Sequence, residues 1–345
     1  MNLLDLSFTE LQELLVGMSV PKYRADQIYL GLYSGKRLEE ISNLPKSLVS
    51  EFRNKGIDGL NTKIVQKLVS KDGTVKYLFE LFDGNIIEGV LMRYKYGNTL
   101  CVSTQVGCRM GCAFCASGLN GLVRNLSAGE ILSEVILANC DQGGNLNKRA
   151  VTNIVLMGCG EPLDNYDNVV KFLRLVSYEK GLNVSLRNVS LSTCGIVPKI
   201  LQLAEEDLQV TLTISLHATD NESREKIMPV NKAYKIEELL DSAKTYFKKT
   251  GRRVVFEYAM IKGVNDSTQC ADRLAHILKG LSSHVNLIPL NYVKERNLKG
   301  IKREEVYKFC EYLNKLGVSA TVRRTMGNDI EGACGQLRRK YIGEN

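Results

Sequence analysis

No stretch of this 345-residue sequence approaches the roughly 18 to 20 consecutive apolar residues that a membrane-spanning helix needs. Its first ten residues lack the cationic start and long apolar segment of a secretory leader. With ten cysteines in the chain, that absence points to a reducing, cytoplasmic location. There is also no internal repeat and no low-complexity tract, which leaves ordinary globular material. Neither sign of charge dominates. The 46 Lys+Arg against 38 Asp+Glu give a net +8, a modest excess that favours a polyanionic partner over a membrane or an acidic metabolite. A chain of this length buries a substantial core, most simply as one large domain with smaller additions.

Three regions are distinguishable. Residues 1–90 read as a small helical head followed by a hairpin. Apolar residues recur at helical spacing around Leu11 and around Ala25, a third short helix is predicted from Pro45 to Lys55, and two alternating strands flank Asp72-Gly73. Residues 91–300 alternate strand-like and helix-like segments, the pattern of parallel βα units. Six strands are predicted: Leu100–Gln105, Asn153–Met157, Val189–Ser192, Val210–Leu216, Val254–Met260 and Val285–Leu290. Between them lie capped amphipathic helices, such as the one opened by Ser127-Ala-Gly-Glu130. Six units give an α/β fold that fits an open or partial (βα)6 barrel, with a doubly wound sheet as the alternative. Residues 301–345 form an extension with a helix from Glu304 to Leu316, a strand from Ala320 to Arg324 and a glycine-rich tail.

The chemistry is concentrated in one turn. Cys108, Cys112 and Cys115 stand as C-x-x-x-C-x-x-C in a glycine-broken segment after an apolar run. The spacing differs from the paired C-x-x-C of a zinc ribbon, and no fourth Cys or His follows where it would close a tetrahedral site. It suits an iron–sulfur cube. Cubes normally take four cysteines, so three leave one iron with an open position for a chelating small molecule. Clustered loop cysteines beside glycines make poor core packing. The triad resembles that of the radical S-adenosylmethionine (SAM) superfamily. That resemblance implies a [4Fe-4S] cluster on Cys108, Cys112 and Cys115, with SAM on the open iron, and a partial (βα)6 barrel carrying a helical N-terminal domain and a C-terminal extension.

Ligands of parallel βα folds sit at the carboxyl ends of the strands. Gly158-Cys-Gly-Glu-Pro162 follows the second predicted strand. Its glycines let backbone approach a ligand and Glu161 adds a carboxylate, although strand-ending glycines also serve turns. The superfamily resemblance assigns Gly160 and Glu161 to the SAM amino group. Ser192, Ser215, Leu216, His217 and Asn291 end later strands, where hydroxyl, imidazole and amide groups suit the carboxylate and ribose of SAM. Two further thiols stand apart. Cys101 lies in the first predicted strand, and Cys334 sits in a glycine-flanked tail segment, as a nucleophile or as a spectator.

The stretch from Cys101 to Cys115 belongs to a set of motifs with Gly158-x-Gly-Glu-Pro-Leu-Asp-Asn165, Ser192-Thr-x-Gly195, Ser215-Leu-His217, Phe256-Glu-Tyr258 with Gly263-Val-Asn-Asp266, Val285-Asn-Leu-Ile-Pro289 and Ala333-Cys-Gly-Gln-Leu337. Together they resemble the RlmN/Cfr family of RNA methyltransferases over essentially the whole chain, on its carbon-2 side. The resemblance implies methylation of adenine carbon 2 in the peptidyl-transferase region of 23S rRNA and beside the anticodon of tRNA. Two SAM would be used per turnover. One methylates Cys334, and the other yields a radical that takes hydrogen from that S-methyl group. The carbon radical then joins the ring as a protein–RNA thioether. Glu88 matches the family's proton acceptor and Cys101 its resolving thiol, which would leave a disulfide between Cys101 and Cys334. The sharing of proton removal between Glu88 and Cys101 stays open. A disulfide requires Cα atoms within about 7 Å, so the tail must fold back over the mouth.

The same resemblance implies a flavodoxin- or ferredoxin-like electron donor, a monomeric chain, and a head that recognises RNA. Cations available for phosphate are Lys22, Arg24, Lys36, Arg37 and Lys46 in the head, then Lys248, Lys249, Arg252, Arg253, the run Lys294–Arg303, Arg323, Arg324 and Arg338–Lys340. Cys159 and Cys194 read as packing thiols, Cys194 less firmly because it lines the mouth. A Cfr-type carbon-8 methyltransferase and an idle iron–sulfur protein that only binds RNA are the alternatives.

Overall fold

The computed structural model describes residues 1–291 and 295–330. The head contains α1 (Phe8–Gly17), α2 (Arg24–Tyr33) and α3 (Lys46–Asn54), close to the three predicted helices. Helix α1 starts at a reciprocal cap. Ser7 Oγ accepts the Glu10 N–H, and the Glu10 carboxylate accepts the Ser7 N–H. The head is packed rather than tethered: Phe8 meets Tyr29 edge-on at 5.5 Å and stacks against Tyr178 at 6.4 Å, so aromatic area from the head and the main body is buried together.

The strands are β1 (Lys63–Val69), β2 (Val75–Glu80), β3 (Ile86–Tyr94), β4 (Gly97–Cys101), β5 (Gln105–Gly107), β6 (Leu122–Asn125), β7 (Asn153–Leu156), β8 (Val189–Thr193), β9 (Thr211–Ser215), β10 (Val254–Met260), β11 (Ser283–Pro289) and β12 (Ala320–Val322). Ten of them form one sheet in the order β1-β2-β3-β4-β7-β8-β9-β10-β11-β12, while β5 and β6 pair separately. The six predicted parallel strands are β4, β7, β8, β9, β10 and β11, adjacent and in chain order, and the predicted tail strand joins β11 in parallel as β12. The connecting helices are α4 (Ala128–Asp141), α5 (Tyr166–Ser177), α6 (Val197–Leu203), α7 (Asn221–Ile227), α8 (Ile236–Thr250), α9 (Thr268–Ile277) and α10 (Arg303–Lys315). No helix among the described residues is long and apolar enough to cross a membrane.

Two elements differ from expectation. The Asp72-Gly73 hairpin forms as β1 and β2, but it continues through β3, which pairs antiparallel with both β2 and β4, so residue 90 lies inside a strand of the main sheet. Nearly every residue of β3 from Ile86 to Met92 is buried, which hides the alternation that marks a half-exposed strand. The first parallel strand ends at Cys101 rather than Gln105. Beyond it, Val102, Thr104 and Gln105 bond to the loop that follows β7, the Thr104 and Gln105 N–H groups both donating to Cys159 O at 2.8 and 3.1 Å.

Backbone meets backbone closely where the head docks on α4. Gly129 in the first turn of α4 donates its N–H to Asp5 Oδ1 at 2.6 Å. A Cβ there would lie 2.8 Å from Leu4 C and 2.9 Å from Asp5 N, backbone atoms that cannot turn away. Gly129→Val is expected to cost about 1 to 3 kcal/mol of stability in urea unfolding, with the head cleaved earlier in limited proteolysis. Wild-type values for both would contradict this docking.

Candidate active site

The ribbon of β5 and β6 holds the two ends of the cysteine loop. Cys108 N–H donates to Gly121 O at 2.9 Å, Cys115 N–H donates to Cys112 O at 3.2 Å, and Ala113 N–H donates to Ile227 O, the end of α7, at 2.8 Å. Cys108, Cys112 and Cys115 line one cleft of about 250 Å³. Burial, with the neighbouring thiol and Glu161 charges behind it, pushes the Cys108 thiol up to about 12, and burial raises the Cys112 thiol as well, so both ionise only with a cation beside them. No three Cys, His, Asp or Glu side chains among the described residues converge on a single-ion site. A cube, in which each thiolate takes its own iron, needs no such convergence.

The donor set fits an anionic cluster for a second reason. Arg224 of α7 is fully buried, yet among the described residues its guanidinium meets only neutral acceptors: Leu216 O at 3.1 Å, Asn231 Oδ1 at 3.1 Å, Cys194 O at 2.7 Å and Ser215 O at 2.9 Å. Its charge acts on Cys112 and Cys194. A buried cation without a carboxylate needs a nearby anion, and a thiolate-ligated cluster supplies one. Ser117 Oγ, also in the cleft wall, is buried without a hydrogen-bond partner and could meet a ligand.

Strand ends build the opposite wall. Gly160, Glu161, Ser192, Ser215, His217 and Asn291 all line the same cleft as the cysteines. Gly160 has φ +109°, and a Cβ there would lie 2.6 Å from Gln105 Cβ, so only glycine lets the turn pass. Glu161 accepts the N–H groups of Cys194 at 2.7 Å and Leu163 at 3.0 Å, but burial outweighs those bonds and holds its carboxyl above the usual range. His217, at φ +55°, receives the Ala259 N–H on Nδ1 at 2.9 Å. A backbone N–H only donates, so the imidazole proton sits on Nε2. Burial, then the Arg224 charge, lowers the His217 pKa to about 3, and it stays neutral at physiological pH. Leu216 does not line the cleft. It is fully buried, and its backbone alone serves the site, the N–H donating to Glu257 O and the carbonyl accepting from Arg224.

Cys101 and Glu88 lie behind this cleft. Cys101 packs in a small apolar cluster with Val90, Met92, Tyr94, Val155, Met157 and Met326, and Met157 also lines the cleft. Glu88 shares the inward face of β3 with Val90 and Met92, and its Oε2 is 3.4 Å from the ammonium of Lys76, a buried ion pair. The tail crosses to this side: Gly327 N–H donates to Asp72 Oδ2 at 2.9 Å and Asp329 accepts from Ser70 Oγ and the Lys71 N–H. Cys334 lies outside the described residues, as do Lys294 and Arg338–Lys340.

Four residues of the site escaped the sequence reading. Lys76 stands where strand alternation gives no sign of burial, and Arg224 is hidden in a charged helical stretch. Met157 reads as an ordinary end-of-strand apolar residue. Glu257 did carry a signal, a lone carboxylate in the apolar strand Val254–Met260. It lies in the cleft, accepting from Ser192 Oγ at 3.4 Å, with Arg323 at 3.4 Å. Several cations expected at phosphate are spent inside the protein: Arg323 on Glu257, Arg296 on Cys115 O, Arg252 on Thr211 Oγ1 and Lys249 on Glu205. Lys22, Lys36, Arg37, Lys46, Lys248, Arg253 and Arg324 are exposed and in no ion pair among the described residues. Cys159 Sγ faces Gly107 O at 3.5 Å, and Cys194 lines the cleft.

A parallel sheet with three loop cysteines at its carboxyl edge defines the class: the family model of the radical SAM superfamily matches residues 102–270. A radical SAM methyltransferase from Sphaerobacter thermophilus has the same fold, with a TM-score of 0.91 and 42% identity, over 97% of this chain and 98% of that one. Two curated relatives bear the name dual-specificity RNA methyltransferase RlmN, qualified as probable. The one from Clostridium perfringens is 51% identical over 99% of this chain and 97% of its own length. The one from Clostridium novyi is 49% identical over 100% of this chain and 99% of its own. The chain belongs to the RlmN family of radical SAM RNA methyltransferases.

The His217 environment sets a pH dependence. Its folded pKa of about 3 lies below the unfolded value near 6.5, so the unfolded chain binds the proton first and this contribution to stability is lost as pH falls from about 6.5 towards 3. The slope approaches 1.4 kcal/mol per pH unit for one proton. Urea unfolding at several pH values should show a shallower acid loss in His217→Gln. An identical pH profile for both proteins would contradict the buried neutral imidazole.

Proposed function

We propose that this protein methylates carbon 2 of adenine in the peptidyl-transferase region of 23S rRNA and beside the anticodon of tRNA, carrying the methyl group on Cys334. The reading is supported above all by one juxtaposition. The cysteine loop and the polar strand ends share a cleft, and Cys101 lies behind Met157, a wall of that cleft, in a cluster that includes Met326 of the tail.

In this proposal Cys108, Cys112 and Cys115 would hold a [4Fe-4S] cluster that binds SAM. Glu161 and the backbone of Gly160 receive the SAM amino group. Ser192, Ser215 and Asn291 offer hydrogen bonds to carboxylate and ribose, His217 presents Nε2–H as a fixed donor, and the Leu216 backbone keeps that segment in place. When bound, the cluster and SAM supply a carbon radical able to abstract hydrogen from an unactivated methyl group.

The remaining steps fall to side chains. Carbon 2 of adenine is electron-poor, so an electrophilic methyl group finds no nucleophile there. Cys334 avoids this by taking the methyl from one SAM in an ordinary displacement, and a second SAM is consumed when hydrogen is removed from it. The sulfur-borne methylene would join the ring as a thioether, with the ring proton passing to Glu88 and the surplus electron returning to the cluster. The Cys101 thiolate would then attack the Cys334 sulfur and break its bond to the methylene, which takes a proton to become the methyl group and leaves the Cys101–Cys334 disulfide. Lys76 keeps the Glu88 side chain directed inward through the buried pair. The contact of Met326 with the Cys101 cluster supports the approach of Cys334 to Cys101. An electron donor of the flavodoxin or ferredoxin class, a monomeric chain, a head that contacts RNA and a cytoplasmic location complete the reading.

Cys334→Ala is expected to abolish RNA methylation while the reconstituted protein still cleaves SAM to 5′-deoxyadenosine, and Cys112→Ala to lose both. Mass spectrometry of digested RNA should place the wild-type methyl group on carbon 2. Methylation by Cys334→Ala at the wild-type rate, or a methyl group on carbon 8, would overturn the proposal.

A further inference from the structure

A second cavity, of about 580 Å³, opens where β7, β8 and β9 begin, at the end of the sheet opposite the cysteine loop. The sheet curves far enough that Met92 and Tyr94 of β3 and Thr321 of β12 wall the same space. Its volume lies in the range of small-molecule sites, roughly 300 to 1,000 Å³. Its charge is one-sided. Lys95, Arg187, Arg323 and Arg324 line it, and no carboxylate does among the described residues. Arg323 turns to Glu257 in the first cleft, whereas Lys95, Arg187 and Arg324 are exposed and in no ion pair among the described residues. Gathering like charges around an open space is unfavourable unless an anion enters it.

The aromatic content narrows the class of anion. Tyr94 and Tyr96 stack with ring centroids 5.0 Å apart and planes 7° from parallel, and Tyr96 is 72% exposed. Arg323 and Arg324 are near enough for their charges to act on the Tyr96 phenol. A flat exposed ring beside the exposed guanidinium of Arg324 suits a base and its phosphate. The cavity is also placed for RNA already held by the enzyme, because Met157 and Arg323 are shared with the catalytic cleft. Tyr94 belongs to the cluster around Cys101, so the tyrosine pair runs outward from the proposed resolving thiol.

We propose that this cavity is an RNA subsite for the nucleotide next to the target adenine, with its base stacked on Tyr96 and its phosphate held by Arg187 and Arg324. The assignment rests on the reading of this protein as an RNA methyltransferase with its target base near Cys101. It adds a positioning role: a neighbour anchored here holds the strand while the target base leaves its stack.

The test uses the full-length reconstituted enzyme and a fluorescent anticodon stem-loop with adenine beside the anticodon, read by anisotropy over a salt series. Tyr96→Ala should weaken binding about ten-fold or more, and Tyr96→Phe, which keeps the ring, should stay within about two-fold of wild type. Arg187→Gln and Arg324→Gln should each lower the slope of log K against log salt by about one. SAM cleavage without RNA should be unchanged in all four variants, which separates loss of this subsite from loss of the catalytic centre. Wild-type affinity and salt slope in Tyr96→Ala, Arg187→Gln and Arg324→Gln together would overturn the proposal, as would adenosine monophosphate occupying the site while RNA binding ignores the substitutions. Failure of the wild type to methylate RNA would instead count against the function itself.

Discussion

A single buried guanidinium ties the active site together. Arg224 bonds the carbonyls of Cys194 just past β8 and of Ser215 and Leu216 at the end of β9. The helix that carries it ends at Ile227, whose carbonyl receives Ala113 N–H from between the second and third loop cysteines. One side chain therefore fixes two strand ends and the helix on which the cysteine loop rests. It also brings a positive charge, unmatched by any contacting carboxylate among the described residues, to the place where three thiols gather. Buried charge is costly unless compensated, so this arrangement makes physical sense around an anionic centre.

From that base, distance from the thiols orders the chemistry. Nearest are fixed polar groups with settled proton positions: Glu161 held by two backbone N–H groups, and His217 with its proton forced onto Nε2. Next comes Met157, shared between the cleft and the apolar surroundings of Cys101. An apolar setting would keep the proposed resolving thiol unreactive until its partner arrives. Beyond Cys101, the tyrosine pair and the unpaired cations lead out to solvent. The sheet thus runs from an end where thiols cluster to one where exposed cations gather.

What could be seen in the sequence and what could not separate along physical lines. Local spacing was legible: the cysteine loop, the strand ends Glu161, Ser192, Ser215 and His217, and all six parallel strands follow from patterns a few residues long. Leu216 shows the limit of that view, since its neighbours face the cleft while its own side chain enters the core. Contacts set by the third dimension were hidden. Lys76 and Arg224 look like surface cations in sequence and are among the most buried side chains in the fold. Strand β3, which carries Glu88, left no mark in the pattern because it is buried along almost its whole length, which erases the alternation that would have announced it. Arg323 could be counted as a phosphate contact from its charge, yet its direction is decided by Glu257, 66 positions away.

The central claim is that the transferred carbon resides on Cys334 before it reaches RNA. A label chase tests it most directly. The enzyme is first loaded with isotopically methyl-labelled SAM, freed of excess, and then given RNA, reductant and unlabelled SAM. Label is expected on the Cys334 peptide after loading and in RNA during the first turnover, with the peptide losing it. Unlabelled methyl in first-turnover RNA, with the label still on the protein or never present there, would contradict it.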